Sequence, residues 1–173
     1  VLSGLGGPTL GWGVAWDAAI AVVAMRQAEN LAEGGDGRAA TCTTLVLVGL
    51  TIMAEGRDDI AGGAIAESLG GVVAEFLMLN WFPARVFMGD AGSLALGCAI
   101  VALTAEVHLI WFLPVLGIVF VVEAASVVVN VTAIRCFGRR VLRASPIHHH
   151  FEELGLRKRK LVVSFAAAAA VGT

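Results

Sequence analysis

Three short polar stretches interrupt an otherwise apolar chain, and each carries side chains that can act on a phosphate or a sugar. In the first, Asn30, Glu33 and Asp36 recur at intervals of three residues among Gly34, Gly35 and Gly37. An amide and carboxylates on a tight glycine-rich turn can hold a nucleotide base, a ribose or a cation. The plainer reading is an acidic loop whose glycines supply positive φ. In the second stretch, from Asn80 to Ser93, Asp90 lies between Gly89 and Gly92 at the mouth of an apolar run. A helix starting near Ser93 would aim its free N–H groups at the same place and favour an anion there. A carboxylate beside a phosphate suits Mg²⁺, which takes one or two protein carboxylates and completes its shell with phosphate oxygens and water. The plainer reading is that Asp90 only caps that helix.

The third stretch is Pro146-Ile147-His148-His149-His150-Phe151-Glu152, preceded by Arg135, Arg139, Arg140 and Arg143. Three successive histidines on a helix point about 100° apart, so they cannot share one metal, and zinc would need wider spacing or nearby cysteines. Imidazoles beside a diphosphate are expected instead as hydrogen-bond donors that stabilise developing charge. The basic run, taken plainly, is a membrane-surface helix on anionic lipid.

The elements that must carry these stretches are apolar. Of 173 residues, 58% are hydrophobic and 15% charged, with a mean hydropathy of +0.84. Soluble domains average about 45–50% apolar and about 25% charged. The pattern predicts an all-α, polytopic transmembrane bundle, because each span in lipid must satisfy its own backbone; a very apolar soluble bundle is the alternative. Apolar segments run at about 10–28, 39–54, 61–80, 93–106 and 110–131, with a last run from about 161. That makes about six spans, the last cut at Thr173. Residues 1–173 read as one integral membrane domain, within which 132–160 is a basic loop or helix bearing the histidines. The odd, widely spaced Cys42, Cys98 and Cys136 read as packing residues. Residue 1 is valine and no charged leader precedes it, so no signal peptide is expected, and the sequence reads as starting partway into a longer protein.

Charge placement orients the spans. If they alternate, the loops near 29–38, 81–92 and 132–160, with Arg26 just inside a span end, hold eleven of the twelve Lys and Arg residues; Arg57 is the exception. By the positive-inside rule that side is cytoplasmic. All three polar stretches then face one compartment and can converge. The pair Asp58-Asp59 falls on the other side and is assigned no catalytic role.

The chain resembles the phospho-N-acetylmuramoyl-pentapeptide transferase (MraY) family, within the polyprenyl-phosphate N-acetylhexosamine-1-phosphate transferases. The matching strings are Phe87-Met88-Gly89-Asp90-Ala91-Gly92-Ser93-Leu94-Ala95-Leu96-Gly97, Phe120-Val121-Val122-Glu123, and the Pro146–Glu152 stretch. The stretch from Asn30 to Gly37 looks like a variant of the family's Asn-Leu-Thr-Asp-Gly-Leu-Asp-Gly. The resemblance implies a multi-pass enzyme of the bacterial cytoplasmic membrane, active on its cytoplasmic face and using Mg²⁺. It would transfer phospho-N-acetylmuramoyl-pentapeptide from its UDP carrier to undecaprenyl phosphate, giving lipid I and UMP. The bilayer and these two substrates are the partners implied; a homodimer is compatible and nucleic acid is not expected. Carried over, Asp90 would be the magnesium ligand, Phe87 would stack on uracil, Asn30, Glu33, Asp36 and Asn80 would line the nucleotide and phosphate site, and His148, His149 and His150 would lie against the sugar phosphate.

Two departures stand out. Glu33 replaces the family's aspartate, and Gly35 and Arg38 replace apolar neighbours; a displacement of about 1 Å can cost about 100-fold in rate. The family's N-terminal half also carries an aspartate pair and a lysine that nothing here matches, so the resemblance is to the C-terminal half. A non-catalytic homologue and a UDP-N-acetylglucosamine:polyprenyl-phosphate transferase are the competing readings. A metal transporter using Glu67, Glu75 and Glu123 is a weaker one, because no histidine shares a span with Glu67 or Glu75.

Overall fold

The computed structural model describes residues 11–33, 36–156 and 158–172. Gly34 and Gly35 of the first polar stretch and Arg157 of the basic segment 132–160 lie outside the described residues. Among the described residues the regular elements are helices: α1 (Gly11–Ala32), α2 (Arg38–Glu55), α3 (Ile60–Asn80), α4 (Gly89–Glu106), a 3₁₀ turn (Ile110–Phe112), α5 (Leu113–Leu116), α6 (Ile118–Phe137), α7 (Ile147–Glu153) and α8 (Lys158–Gly172). Four of them, α2, α3, α4 and α6, are long and apolar enough to cross a membrane. The helix α1 has the length but carries Asp17, Arg26 and Glu29; α8 has only 15 residues.

Small residues let the helices approach closely, as they do where lipid supplies no hydrophobic drive between helices. Between α2 and α3, a Cβ built on Gly70 would lie 3.4 Å from the Leu47 Cβ, and one on Gly63 would lie 3.6 Å from that of Ala54. The α1–α4 crossing is tighter. A Cβ on Gly97 would sit 2.5 Å from the Arg26 Cα and 2.8 Å from its backbone nitrogen, so backbone meets backbone there. Leu47, Leu50, Ile100, Leu109, Leu116 and Phe120 fill the interior, while Ile52, Val72, Met78 and Val128 point outward. With Glu29, Glu123 and His148 buried, the distribution is that of a bundle whose surroundings are apolar.

Two boundaries differ from those expected. The helix α4 begins at Gly89 rather than near Ser93, because the carboxylate of Glu33 reaches across and accepts the Gly89 N–H. The run 110–131 is not one helix. Pro114 sits in the first turn of the four-residue α5, the Gly117 N–H closes on the Leu113 carbonyl at 2.8 Å, and α6 then starts afresh. It continues past the apolar run to Phe137, where Gly138 takes φ 64° and ends it.

The loops sort to two ends. At one, Arg57 Nη1 donates to the Val107 carbonyl at 3.0 Å, which ties the α2–α3 turn to the segment after α4. Asp59 caps α3 there by accepting the Gly62 N–H at 3.0 Å. The Asp58-Asp59 pair thus belongs to the end away from Asn30 and Asp90. At the other end, Gly37 opens α2 with φ 72°, a conformation that costs most side chains about 1–2 kcal/mol. Its N–H reaches the Asn80 Oδ1 at 3.0 Å, joining the start of α2 to the end of α3.

Candidate active site

The first two polar stretches meet where α1 ends and α4 begins. Asn30, in the last turn of α1, donates from Nδ2 to Asp90 Oδ1 at 2.9 Å and to Ser93 Oγ at 3.2 Å. Three residues on, Glu33 accepts the Gly89 N–H. Two carboxylates and an amide therefore converge on the first turn of α4. Asp90 does not serve as the helix cap: it lies inside the first turn, and one of its oxygens takes the Asn30 amide. The residue is exposed. Phe87, just before this turn, is 57% exposed. Asp36 is half-buried in the turn before α2. Asn80 lies in the same loop cluster but is buried, accepting from Gly37 and donating to the Val86 carbonyl at 2.8 Å. Both ends of its amide go to backbone, so it shapes the loops.

The third stretch docks on α6. Asn130 Oδ1 accepts the Val141 and Leu142 N–H groups at 3.1 and 3.2 Å, and its Nδ2 donates to Ser145 Oγ at 3.2 Å. Ser126 Oγ accepts the Ile147 N–H at 2.9 Å. Together they anchor the chain that leads into α7. The three histidines then diverge, as helix geometry requires. His148 is buried, with Nδ1 2.9 and 3.0 Å from the two oxygens of Glu123. His149 is exposed and pairs with Glu152 at 3.0 Å. His150 Nδ1 accepts the Arg143 N–H at 3.2 Å. No group of three His, Cys, Asp or Glu side chains among the described residues is placed to hold a metal by itself.

Arg38 links the two halves of the site. Buried at the start of α2, it donates Nε and Nη2 to the Ala32 carbonyl at 3.1 and 2.8 Å, which braces the turn after α1. The carboxylates of Glu123 and Glu152 favour its positive charge. The proton affinity of His148 is lowered from the ordinary value, first by burial and further by Arg38 and His149, against the pull of Glu123.

Sequence reasoning finds Asn30, Glu33 and Asp90 by their glycine-rich, polar surroundings. It names Arg38 only as a departure and gives Glu123 no catalytic or positioning role, though a lone carboxylate inside an apolar run is a signal in itself. It also gives Glu29 no part in joining one helix to another. Instead Glu29 is fully buried and accepts from Thr43 Oγ1 at 2.5 Å, which pins the end of α1 to α2. Its other oxygen has no partner among the described residues. Thr43→Val keeps the shape and strands the carboxyl, which should cost about 1–3 kcal/mol. Thermal unfolding in detergent measures this, and an unchanged midpoint would show that the bond does not brace the helices.

Comparison with known proteins shows the family. The pattern of glycosyl transferase family 4 matches residues 3–108, which include Asn30, Glu33, Asn80 and Asp90. A phospho-N-acetylmuramoyl-pentapeptide-transferase of Moorella thermoacetica is 43% identical over 164 residues, covering 94% of this chain and 51% of that protein. The protein of the same name from Heliobacterium modesticaldum is 40% identical over 169 residues, covering 93% and 53%. That of Caldanaerobacter subterraneus subsp. tengcongensis is 43% identical over 136 residues, covering 79% and 43%. The chain thus spans about half the length of the curated relatives it matches. A match over residues 3–108, more than half of the 173, makes this chain a member of glycosyl transferase family 4.

Proposed function

We propose that this chain supplies the aspartate- and histidine-bearing part of a membrane transferase that moves phospho-N-acetylmuramoyl-pentapeptide from a UDP carrier to undecaprenyl phosphate, giving lipid I and UMP at the cytoplasmic face of the bacterial inner membrane. The observation that carries the reading is the junction of Asn30, Glu33 and Asp90 on the first turn of α4. Phosphoryl transfer needs mostly positioning and charge neutralisation; this junction offers the first directly and the second through a cation it would hold. The donor set fits Mg²⁺: hard oxygens, one carboxylate exposed, and room for phosphate oxygens and water in place of further protein ligands. Asp90 would hold the ion, which when bound neutralises charge on the diphosphate. Asn30 orients Asp90, Phe87 offers a stacking face for a base, and the histidine helix lies along the Arg38 side.

One observation favours a second reading. The Glu33 carboxylate already occupies the N–H that opens α4, a donor that an anion would otherwise use. A homologue that binds without turning over would be built this way.

Transfer of labelled sugar phosphate to undecaprenyl phosphate in detergent, with and without Mg²⁺, tests both. The chain is assayed alone and with the N-terminal half of the Moorella protein. Metal-dependent lipid I in either arm, lost in Asp90→Asn, supports the transferase. Absence of product in both arms overturns it in favour of the non-catalytic reading.

A further inference from the structure

The pairing of His148 with Glu123 determines which ring nitrogen carries the proton. Glu123 is 0% exposed on α6, and both of its oxygens lie within 3.0 Å of His148 Nδ1. An ionised Glu123 has no hydrogen to give, and against it the imidazole donates from Nδ1. In a neutral ring this leaves Nε2 as a bare lone pair. That nitrogen is buried and has no partner among the described residues. A second proton on the ring is opposed by burial and by the positive charge of Arg38 from α2; His149 on the same helix adds to this, and Glu123 alone acts the other way. The expectation from sequence, imidazoles as hydrogen-bond donors, therefore does not describe Nε2 of His148.

We propose that Glu123 is a positioning residue, which fixes His148 in the Nδ1–H tautomer and so makes the buried Nε2 an acceptor site for a hydroxyl hydrogen. The hydroxyl comes from the sugar of the nucleotide substrate or from a water that holds its place. The sugar source rests on the transferase reading; the tautomer does not. Glu123 thereby differs from a carboxylate that merely neutralises charge. Its two oxygens leave the ring no equivalent alternative partner for Nδ1, and Asn130 and Ser126 on the same helix fix the approach to α7, so the ring and its partner move as one unit.

Histidine-selective ¹⁵N labelling with long-range ¹H–¹⁵N spectra reads the tautomer directly. The triple variant His108→Gln, His149→Gln, His150→Gln leaves His148 as the single histidine and keeps Glu123 beside it, at the loss of the His149 ring that packs 4.1 Å from the His148 ring. The expected spectrum at neutral pH shows Nδ1 protonated and Nε2 bare. Glu123→Gln, whose amide can accept from or donate to Nδ1, should turn that single form into a mixture. An Nε2–H tautomer or an imidazolium at neutral pH in the triple variant overturns the proposal, whether or not Glu123→Gln folds. With binding measured by calorimetry, addition of UDP-N-acetylmuramoyl-pentapeptide and, separately, of UDP separates the sources: an Nε2 signal moved by the bound sugar nucleotide and not by bound UDP identifies the sugar hydroxyl, and one that the bound sugar nucleotide leaves unmoved identifies water. The spectra require no turnover, so a failed transfer assay leaves this result standing.

Discussion

Gly97→Ala should lower the thermal midpoint in detergent and cut metal-dependent transfer by about 100-fold, while Gly71→Ala, the same change on α3, should do neither. The contrast follows from geometry. A methyl at position 97 would lie 2.5 Å from the Cα of Arg26 and 2.8 Å from its nitrogen, whereas one at position 71 meets nothing within 4 Å. Backbone cannot rotate aside as a side chain can, so α1 and α4 must separate by about 1 Å to reach ordinary contact distance. Overpacking of this kind costs about 1–3 kcal/mol, more than the roughly 1 kcal/mol that alanine gains over glycine in a helix. At Gly71 only the gain applies, so that variant should be neutral or slightly stabilised. The loss of transfer has a separate cause. Asn30 lies one turn beyond Arg26 on α1, and its amide holds Asp90 on α4 at 2.9 Å. Spreading the crossing shifts the donor relative to the carboxylate by the same order, and misplacement of about 1 Å can cost about 100-fold. Equal midpoints for the two glycine variants would show that the α1–α4 crossing is looser than the structure draws it.

The same crossing marks where reading from sequence stops. The stretches around Asn30, Asp90 and His148 are legible because polar side chains are costly at the edge of an apolar run and need a reason to be there. Glycines beside them add a second mark. Four spans are legible because length and hydropathy act residue by residue and need no knowledge of a partner. Gly97 carries no such mark: a glycine in an apolar helix is ordinary until the opposing helix is in place. The break at Gly117 is hidden in the same way, since Pro114 and Gly117 interrupt the hydrogen-bond ladder without interrupting the hydropathy. The start of α4 is hidden too, because the residue that satisfies Gly89 is Glu33, which is 56 positions away. Asn80 reads as a ligand by type, yet a buried amide that bonds two backbone groups is indistinguishable in sequence from one left free for substrate. Glu123 shows the reverse. Its place inside an apolar run signals a role, but only the fold reveals that His148, 25 residues on, is the group it serves.

Exchanging the two residues of the Asn30–Asp90 pair should restore stability without restoring transfer. Asp90→Asn alone keeps the contact, because the new amide can turn its oxygen toward Asn30 Nδ2; the thermal midpoint should hold. The carboxylate is gone, however, and with it several kcal/mol of charge stabilisation at a bound cation, so transfer should fall by about 1,000-fold, the equivalent of about 4 kcal/mol. Asn30→Asp alone places two carboxylates where donor and acceptor now stand 2.9 Å apart. Like charges that close cannot both ionise without penalty, and Ser93 Oγ loses the amide that reaches it at 3.2 Å. The midpoint should drop by an amount corresponding to about 1–3 kcal/mol. In the double variant Asn30→Asp, Asp90→Asn, the amide now on α4 donates to the carboxylate now on α1, so the pair is rebuilt in reverse and the midpoint should return. That carboxylate sits about one hydrogen-bond length (~3 Å) from its former place on the first turn of α4, and away from the exposed face on which a phosphate would share the ion. A double variant that regains both stability and transfer would show that the negative charge matters but its position on α4 does not, and Asp90 would lose its claim to hold the metal. An unchanged midpoint in Asn30→Asp would remove the hydrogen bond itself, and with it the junction on which the transferase reading stands.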